Sequence, residues 1–202
     1  DKLNSHDGIH EFWIGEGAIV RYVEKHLGEG NQNVEKNLNP TTIVHLAKNS
    51  HFVMETMQLG GVSHSERVTE ADLEDNAVLD IKESILTEGE QDASTTFSVE
   101  LNGKKSRVNV VSRSVAKGNS RQAFISEING NNESWGHVEC DAIVFDNGQV
   151  ASTPALQNTH PDATLTHEAA IGKIAGDQII KLQTLGLSQE EAEAVILKSF
   201  LQ

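Results

Sequence analysis

Five times along the chain an apolar residue stands three places before a glycine, at Leu27/Gly30, Met57/Gly60, Leu86/Gly89, Val115/Gly118 and Phe145/Gly148. The glycines are 30, 29, 29 and 30 residues apart. Before each lies an alternating or near-continuous apolar segment, "AIVRYV", "FVMETM", "VLDIKESIL", "RVNVVSRSV" and "VECDAIVF", and such segments read as strands. A weaker series falls between them, "TTIVHLA", "TTFSVEL" and "QAFISEI", so each repeat holds two strands. A repeat of that size cannot bury its own apolar face and gains stability by stacking on its neighbours, the logic of a solenoid. The fold expected is mainly β, a parallel β-helix. A β-sandwich competes, because Asn102-Gly103 and Asn129-Gly130 would suit hairpin turns. The regular spacing favours the solenoid, and an aromatic content of only 4% suits flat stacked coils.

After "STPAL" the period changes. Ile171, Ile174, Gln178, Lys181, Leu182 and Leu185, widened by Ile179 and Ile180, contain helical spacings. A first helix is predicted to open at His167-Glu168 with Thr166 as N-cap, and to close at Gly186 followed by apolar Leu187. Ser188 with Glu191 forms a capping box for a second helix, Gln189 to about Leu201, which carries Ala192, Val195, Ile196 and Phe200 on one face. The two make an αα-hairpin that either caps the last coil or offers a docking surface. The division expected is a β-helix core over 1–165 and a helical segment over 166–202.

Composition removes several function classes. A formal charge of −14, from 30 acidic against 16 basic residues, opposes binding to phosphate backbones and anionic membranes. No run of 18 apolar residues and no basic-then-apolar leader is present. The chain opens on Asp1 without an initiator methionine and reads as trimmed or partial. One cysteine excludes an intrachain disulfide and a multi-thiolate zinc site, so a reducing compartment, the cytoplasm, is expected. Walker A, Gly-x-Gly-x-x-Gly and Gly-x-Ser-x-Gly motifs are absent.

In "HVECDAIVF" strand alternation puts Val138, Cys140, Ala142 and Val144 on one face. Cys140 is then either a small buried hydrophobe or a sulfur acceptor or metal ligand acting as thiolate. His167 and Glu168 would point to opposite sides of a strand, or about 100° apart on a helix. His6 and His10 have the spacing of one helical turn with Gly8 between them, and read as surface residues or an adventitious metal site. His26, His45, His51, His64, His137 and His160 read as surface residues.

"VECDAIVFDNGQVASTPALQ" and "THEAAIGKIAGDQIIKLQTLGLSQEEAEAVILKSFL" together resemble the C-terminal region of the SufB/SufD family of iron-sulfur cluster assembly proteins. The shared features fall on His167 to Ala169, Gly172 to Ile174, Asp177-Gln178, Leu182 to Ala192 and Ile196 to Phe200. The resemblance implies a right-handed parallel β-helix and a scaffold without ATPase or other enzymatic activity of its own. It implies a SufC-type ABC ATPase bound by the C-terminal helices, through Ala192, Val195, Ile196 and Phe200 here, and a dimer with a SufB/SufD-type paralogue or with itself. It further implies that Cys140 receives sulfur or ligates a transient iron-sulfur cluster, with His167 and Glu168 as cluster-assembly and metal ligands. No flavin is assigned. A SufD-like, purely structural role is the main alternative. A β-helix carbohydrate-active enzyme or a Cys140/His167 hydrolase lies further off, for want of clustered acids and of an outward thiol.

Overall fold

The computed structural model describes residues 4–26, 35–173 and 176–201. The strands are β1 (Asn4–His6), β2 (Ile9–Ile14), β3 (Ile19–His26), β4 (Lys36–Leu38), β5 (Thr41–Leu46), β6 (His51–Leu59) and β7 (His64–Leu73). They continue as β8 (Val78–Thr87), β9 (Asp92–Leu101), β10 (Arg107–Ala116), β11 (Arg121–Gly130), β12 (Trp135–Val144), β13 (Gln149–Asn158) and β14 (Thr164–Lys173). Helices α1 (Gly176–Thr184) and α2 (Gln189–Phe200) follow.

Every strand pairing among the described residues is parallel, which rules out the hairpins of a sandwich. One sheet runs β3-β6-β8-β10-β12-β14; the other contains β1, β2, β4, β5, β7, β9, β11 and β13. Each coil gives one strand or split strand to each sheet, and six coils stack into a parallel β-solenoid. The register is unbroken through Val78, Arg107, Trp135 and Thr164, steps of 29, 28 and 29 residues. The expected two strands per repeat are present, and inward positions fall into columns because alternation sends every second side chain inside. Met54, Ile81, Val110, Val138 and His167 form one column; Glu24, Thr56, Glu83, Ser112, Cys140 and Ala169 form the next.

The glycine register marks the stacked turns that leave the β3-containing sheet. Gly60, Gly89 and Gly118 have φ of 68°, 62° and 74°, a region where a Cβ crowds the following carbonyl. Gly148 serves differently: the left-handed residue of its turn is Asp146, and a Cβ at Gly148 would lie 2.5 Å from the Ala116 carbonyl oxygen. Leu27/Gly30 lies outside the described residues. Asn129-Gly130 is the end of β11 and not a turn.

The tail corrects one expectation. His167 and Glu168 do not open a helix and Thr166 is not its N-cap; all three lie within β14, as does Ile171. The solenoid therefore runs across the expected 165/166 boundary to Lys173. Ile174 lies outside the described residues. The helix endings are as expected: the N–H groups of Gly186 and Leu187 donate to Gln183 and Leu182 carbonyls, and Gly186 takes φ 96°. Ser188 and Glu191 form the capping box. The hairpin does not cap the last coil. Leu197, Phe200 and Leu201 pack on Val115, Phe145, Leu59, Leu86 and Ile143, on the outer face of the β3-containing sheet. Lys117 Nζ donates to Glu193 at 3.1 Å and Ser84 Oγ to the Leu201 carbonyl at 2.9 Å.

Two glycines of equal backbone conformation separate strain from collision. Gly17 has φ 69° and open space where a Cβ would stand, whereas a Cβ at Gly118 would meet Gly89 N at 2.9 Å. Gly17→Ala should cost about 1–2 kcal/mol of stability from backbone strain alone. Gly118→Ala should cost at least about 1 kcal/mol more, because two stacked turns must separate. Urea denaturation of both variants measures the difference, and equal losses would show that coil contact at this turn is not close-packed.

Candidate functional site

The last coil, β13 and β14, has a neighbouring coil on one side only. Its inward side chains therefore face the end of the solenoid: Leu156 is 39% and Ile171 43% exposed. Pro154 and Ala169 are exposed as well. The outer edges of β13 and β14 each carry a row of backbone groups with no strand partner among the described residues.

One coil in, β12 turns Cys140 into the core. The side chain is 1% exposed, flanked in its own strand by buried Val138 and Ala142. In register it is stacked between Ser112 and Ala169. Burial pushes the thiol up to about 11, against a weak approach by the Ser152 hydroxyl from β13 that holds it down; the carboxylates of Glu83 and Asp141 push it further up. At neutral pH the group is a protonated, covered thiol, as the inward alternation requires.

His167 follows Val138 in its column, two residues before Ala169, and so stands diagonally over Cys140 at the open end. The ring is half-buried and its Nε2 makes no hydrogen bond. Burial, and secondarily the positive potential of His137, lower its pKa and keep the imidazole neutral. A neutral imidazole with an unengaged nitrogen is what a metal ligand needs. The neutral state comes from burial and His137 and not from a helix N-terminus, since no helix begins there.

Glu168 points the other way. It pairs with Glu139 on the outer face and is exposed. Within one chain, then, Cys140 and His167 share the interior of the last two coils and Glu168 does not join them. Among the described residues no group of three His, Cys, Asp or Glu side chains is placed to hold a metal ion. His137, read from sequence as a surface residue, donates or accepts at Thr166 Oγ1 (2.9 Å). Its offset from Thr166 by one coil length was the available signal.

The hairpin face divides. Ala192 is fully buried and Phe200 packs on the solenoid, so neither is free for a partner. Ile196 is half-buried, and Val195 remains 44% exposed. Ile180 and Leu185 of the α1 region, at 56% and 80%, extend the free apolar surface. No helix among the described residues is long and apolar enough to cross a membrane.

Comparison with known proteins agrees with the architecture. A family model described as "SUF system FeS cluster assembly, SufBD core domain" matches residues 1–200. An iron-sulfur cluster assembly SufBD family protein of Pyrococcus horikoshii is 30% identical over 203 residues, covering 98% of this chain and 60% of that protein. Similar relatives occur in Archaeoglobus fulgidus, 30% identical over 98% of this chain and 53% of the relative, and in Methanocaldococcus jannaschii, 28% over 93% and 60%. The chain spans little more than half the length of these relatives. With a parallel solenoid, a matching family description along nearly its whole length and relatives of the same kind, the chain belongs to the SufBD family of iron-sulfur cluster assembly proteins.

Proposed function

We propose that the chain is a non-catalytic scaffold subunit of a cytoplasmic Suf-type assembly complex, on which sulfur and iron are joined while a SufC-type ABC ATPase supplies the energy. The observation that carries the reading is the placing of Cys140 and of the unengaged Nε2 of His167 in adjacent inward columns of the last two coils, at the end of the solenoid that the hairpin leaves uncovered. Iron-sulfur clusters are held by thiolates and, in some centres, by imidazole. Iron binding at Cys140 would displace the thiol proton and replace burial of a neutral group with a metal–thiolate bond. Glu168, on the outer face of β14, is available to a partner chain docked edge-on rather than to its own Cys140.

One cysteine per chain cannot complete a four-thiolate cluster, so the remaining ligands come from a second subunit or from exogenous thiols. The unpaired edges of β13 and β14, with Leu156 and Ile171 beside them, support pairing through this end with a paralogue or a second copy. A SufD-like, purely structural role is supported by the same burial of Cys140 that keeps its thiol unreactive.

Anaerobic reconstitution with iron and sulfide separates these roles. The wild type should develop cluster absorbance, with Cys140→Ala and His167→Ala losing most of it; full absorbance in both variants would show the proposed site to be wrong, and no absorbance in the wild type would leave the structural role. The thiol itself gives a second measurement. Its folded pKa lies above the ordinary 9.0, so stability contributed by keeping it protonated is present below pH 9 and is lost as pH rises to about 11. Relative to Cys140→Ala, the wild type should lose roughly 2 kcal/mol across that window by urea denaturation. A parallel pH dependence would mean an ordinary thiol.

For the ATPase contact the packing selects Val195. Val195→Glu should weaken capture of a SufC-type protein without lowering the melting temperature, whereas Phe200→Asp should detach the hairpin and lower both. Undiminished capture by Val195→Glu would place the contact elsewhere.

A further inference from the structure

At the opposite end of the solenoid from Cys140, the first coil holds three imidazoles close together. The rings of His6 and His10 are 6.3 Å apart between centroids, and those of His6 and His26 also 6.3 Å. The three residues lie on strands, so the helical spacing of His6 and His10 is not what joins them. Gly8 is. A Cβ at Gly8 would stand 3.0 Å from His6 Nε2 and 3.5 Å from His10 Nε2. Both nitrogens therefore stand over the same bare backbone, where a methyl group would crowd the space between them.

The backbone beneath them is fixed. Asn39 N–H donates to the His6 carbonyl at 2.8 Å and Thr41 N–H to the Gly8 carbonyl at 2.9 Å. Asp7, between the two histidines, is engaged elsewhere, accepting from Ser5 Oγ and from Asn39 Nδ2 at 2.8 Å.

The tautomer of His10 is fixed from behind. Tyr22 donates its hydroxyl proton to Glu24 Oε2 at 3.2 Å, and its oxygen faces His10 Nδ1 at 3.1 Å. With its only proton on Glu24, the phenol can only accept from His10, so the proton sits on Nδ1 and the lone pair on Nε2. Glu24 is dependably ionised. Burial pushes its carboxyl up, but the His26 hydrogen bond and the Arg67 guanidinium, 3.2 Å from Oε2, outweigh that and hold it at about 2. A carboxylate orienting an imidazole through one further group is a common outer-shell arrangement of metal-binding histidines.

We propose that His6 Nε2 and His10 Nε2 chelate an exchangeable divalent transition-metal ion over Gly8, with water completing the coordination and the Tyr22–Glu24–Arg67 chain orienting His10. Two imidazoles suit borderline ions such as Ni(II), Cu(II), Co(II) and Zn(II) and not Mg(II) or Ca(II). No third protein ligand is in place among the described residues, and His26 stays on Glu24. The assignment is independent of the role given to Cys140.

The test is calorimetric titration of Ni(II) into the tag-free chain in a Cys140→Ala/His167→Ala background, with circular dichroism confirming the fold of each variant. One ion should bind per chain. His6→Ala and His10→Ala should each weaken binding at least about tenfold, and Tyr22→Phe, which leaves both ligands, about tenfold. Gly8→Ala should weaken it as strongly, although Gly8 has no special φ and the variant keeps every ligand. Absence of stoichiometric binding in the background chain, undiminished binding in either histidine variant, or parental binding by Gly8→Ala would each overturn the proposal. Equal binding of Mg(II) would do the same.

Discussion

The structure depends on parallel, in-register hydrogen bonding between successive coils. A coil bonds to the coils above and below and hardly at all to itself, so no coil is stable without a neighbour. Two consequences follow from that single constraint. Inward side chains at equal positions in each coil stand in columns, which is how Ser112, Cys140 and Ala169 come to be stacked. The first and last coils also retain strand edges that the described residues do not pair. His6, His10 and His167, each with an Nε2 that makes no hydrogen bond among the described residues, lie at those ends.

The interior is not uniformly apolar. Glu24, Arg67 and Glu83 are each less than a tenth exposed. Arg67 reaches Glu24, while Glu83 accepts from Thr95 at 3.0 Å and from Ser112 at 2.9 Å. Burial pushes the Glu83 carboxyl up despite the opposing influence of Arg67 and the two hydroxyls. Groups of this kind do little for net stability. They do restrict register. A slip of two residues between coils preserves the inside-outside alternation, and apolar columns alone would tolerate it. It would also carry Ser112 away from Glu83, leaving one oxygen of a buried carboxyl without its donor, and that cost falls on the misregistered state alone.

How much of this could be read from sequence follows from which physical signal each part carries. The coil length was legible because left-handed turns select glycine at Gly60, Gly89 and Gly118, and the hairpin because the Gly186 ending and the Ser188/Glu191 box are local chemistry. β7 was missed because its inward positions include Ser65, Arg67 and Thr69, so apolar alternation fails where the core is polar. β13 was hidden by Pro154, tolerated on an edge strand where no partner needs its missing N–H. β14 was mistaken for a helix start because Thr-His-Glu imitates a cap, and a strand at an open end keeps little of the burial pattern that would reveal it. The inward thiol at Cys140 was readable from alternation. The pairing of His6 with His10 over Gly8, and of His10 with Tyr22, was not, since it depends on the turn between β1 and β2 and on how the two sheets face each other across the interior.

The burial of Cys140 and the openness of its end bear on each other. In a central coil, exposing an inward side chain would require unpairing strands on both sides. Cys140 is separated from the end of the solenoid by β14 alone, and the residue stacked directly on it there is Ala169, whose side chain is a single methyl. Terminal repeats open at lower free energy than internal ones because they have one interface to lose. The same coil carries the unpaired edge, so an incoming chain that pairs with β14 acts on the strand stacked over the thiol. Protection of the sulfur and access to it are therefore governed by one element, and His167 is built into that element.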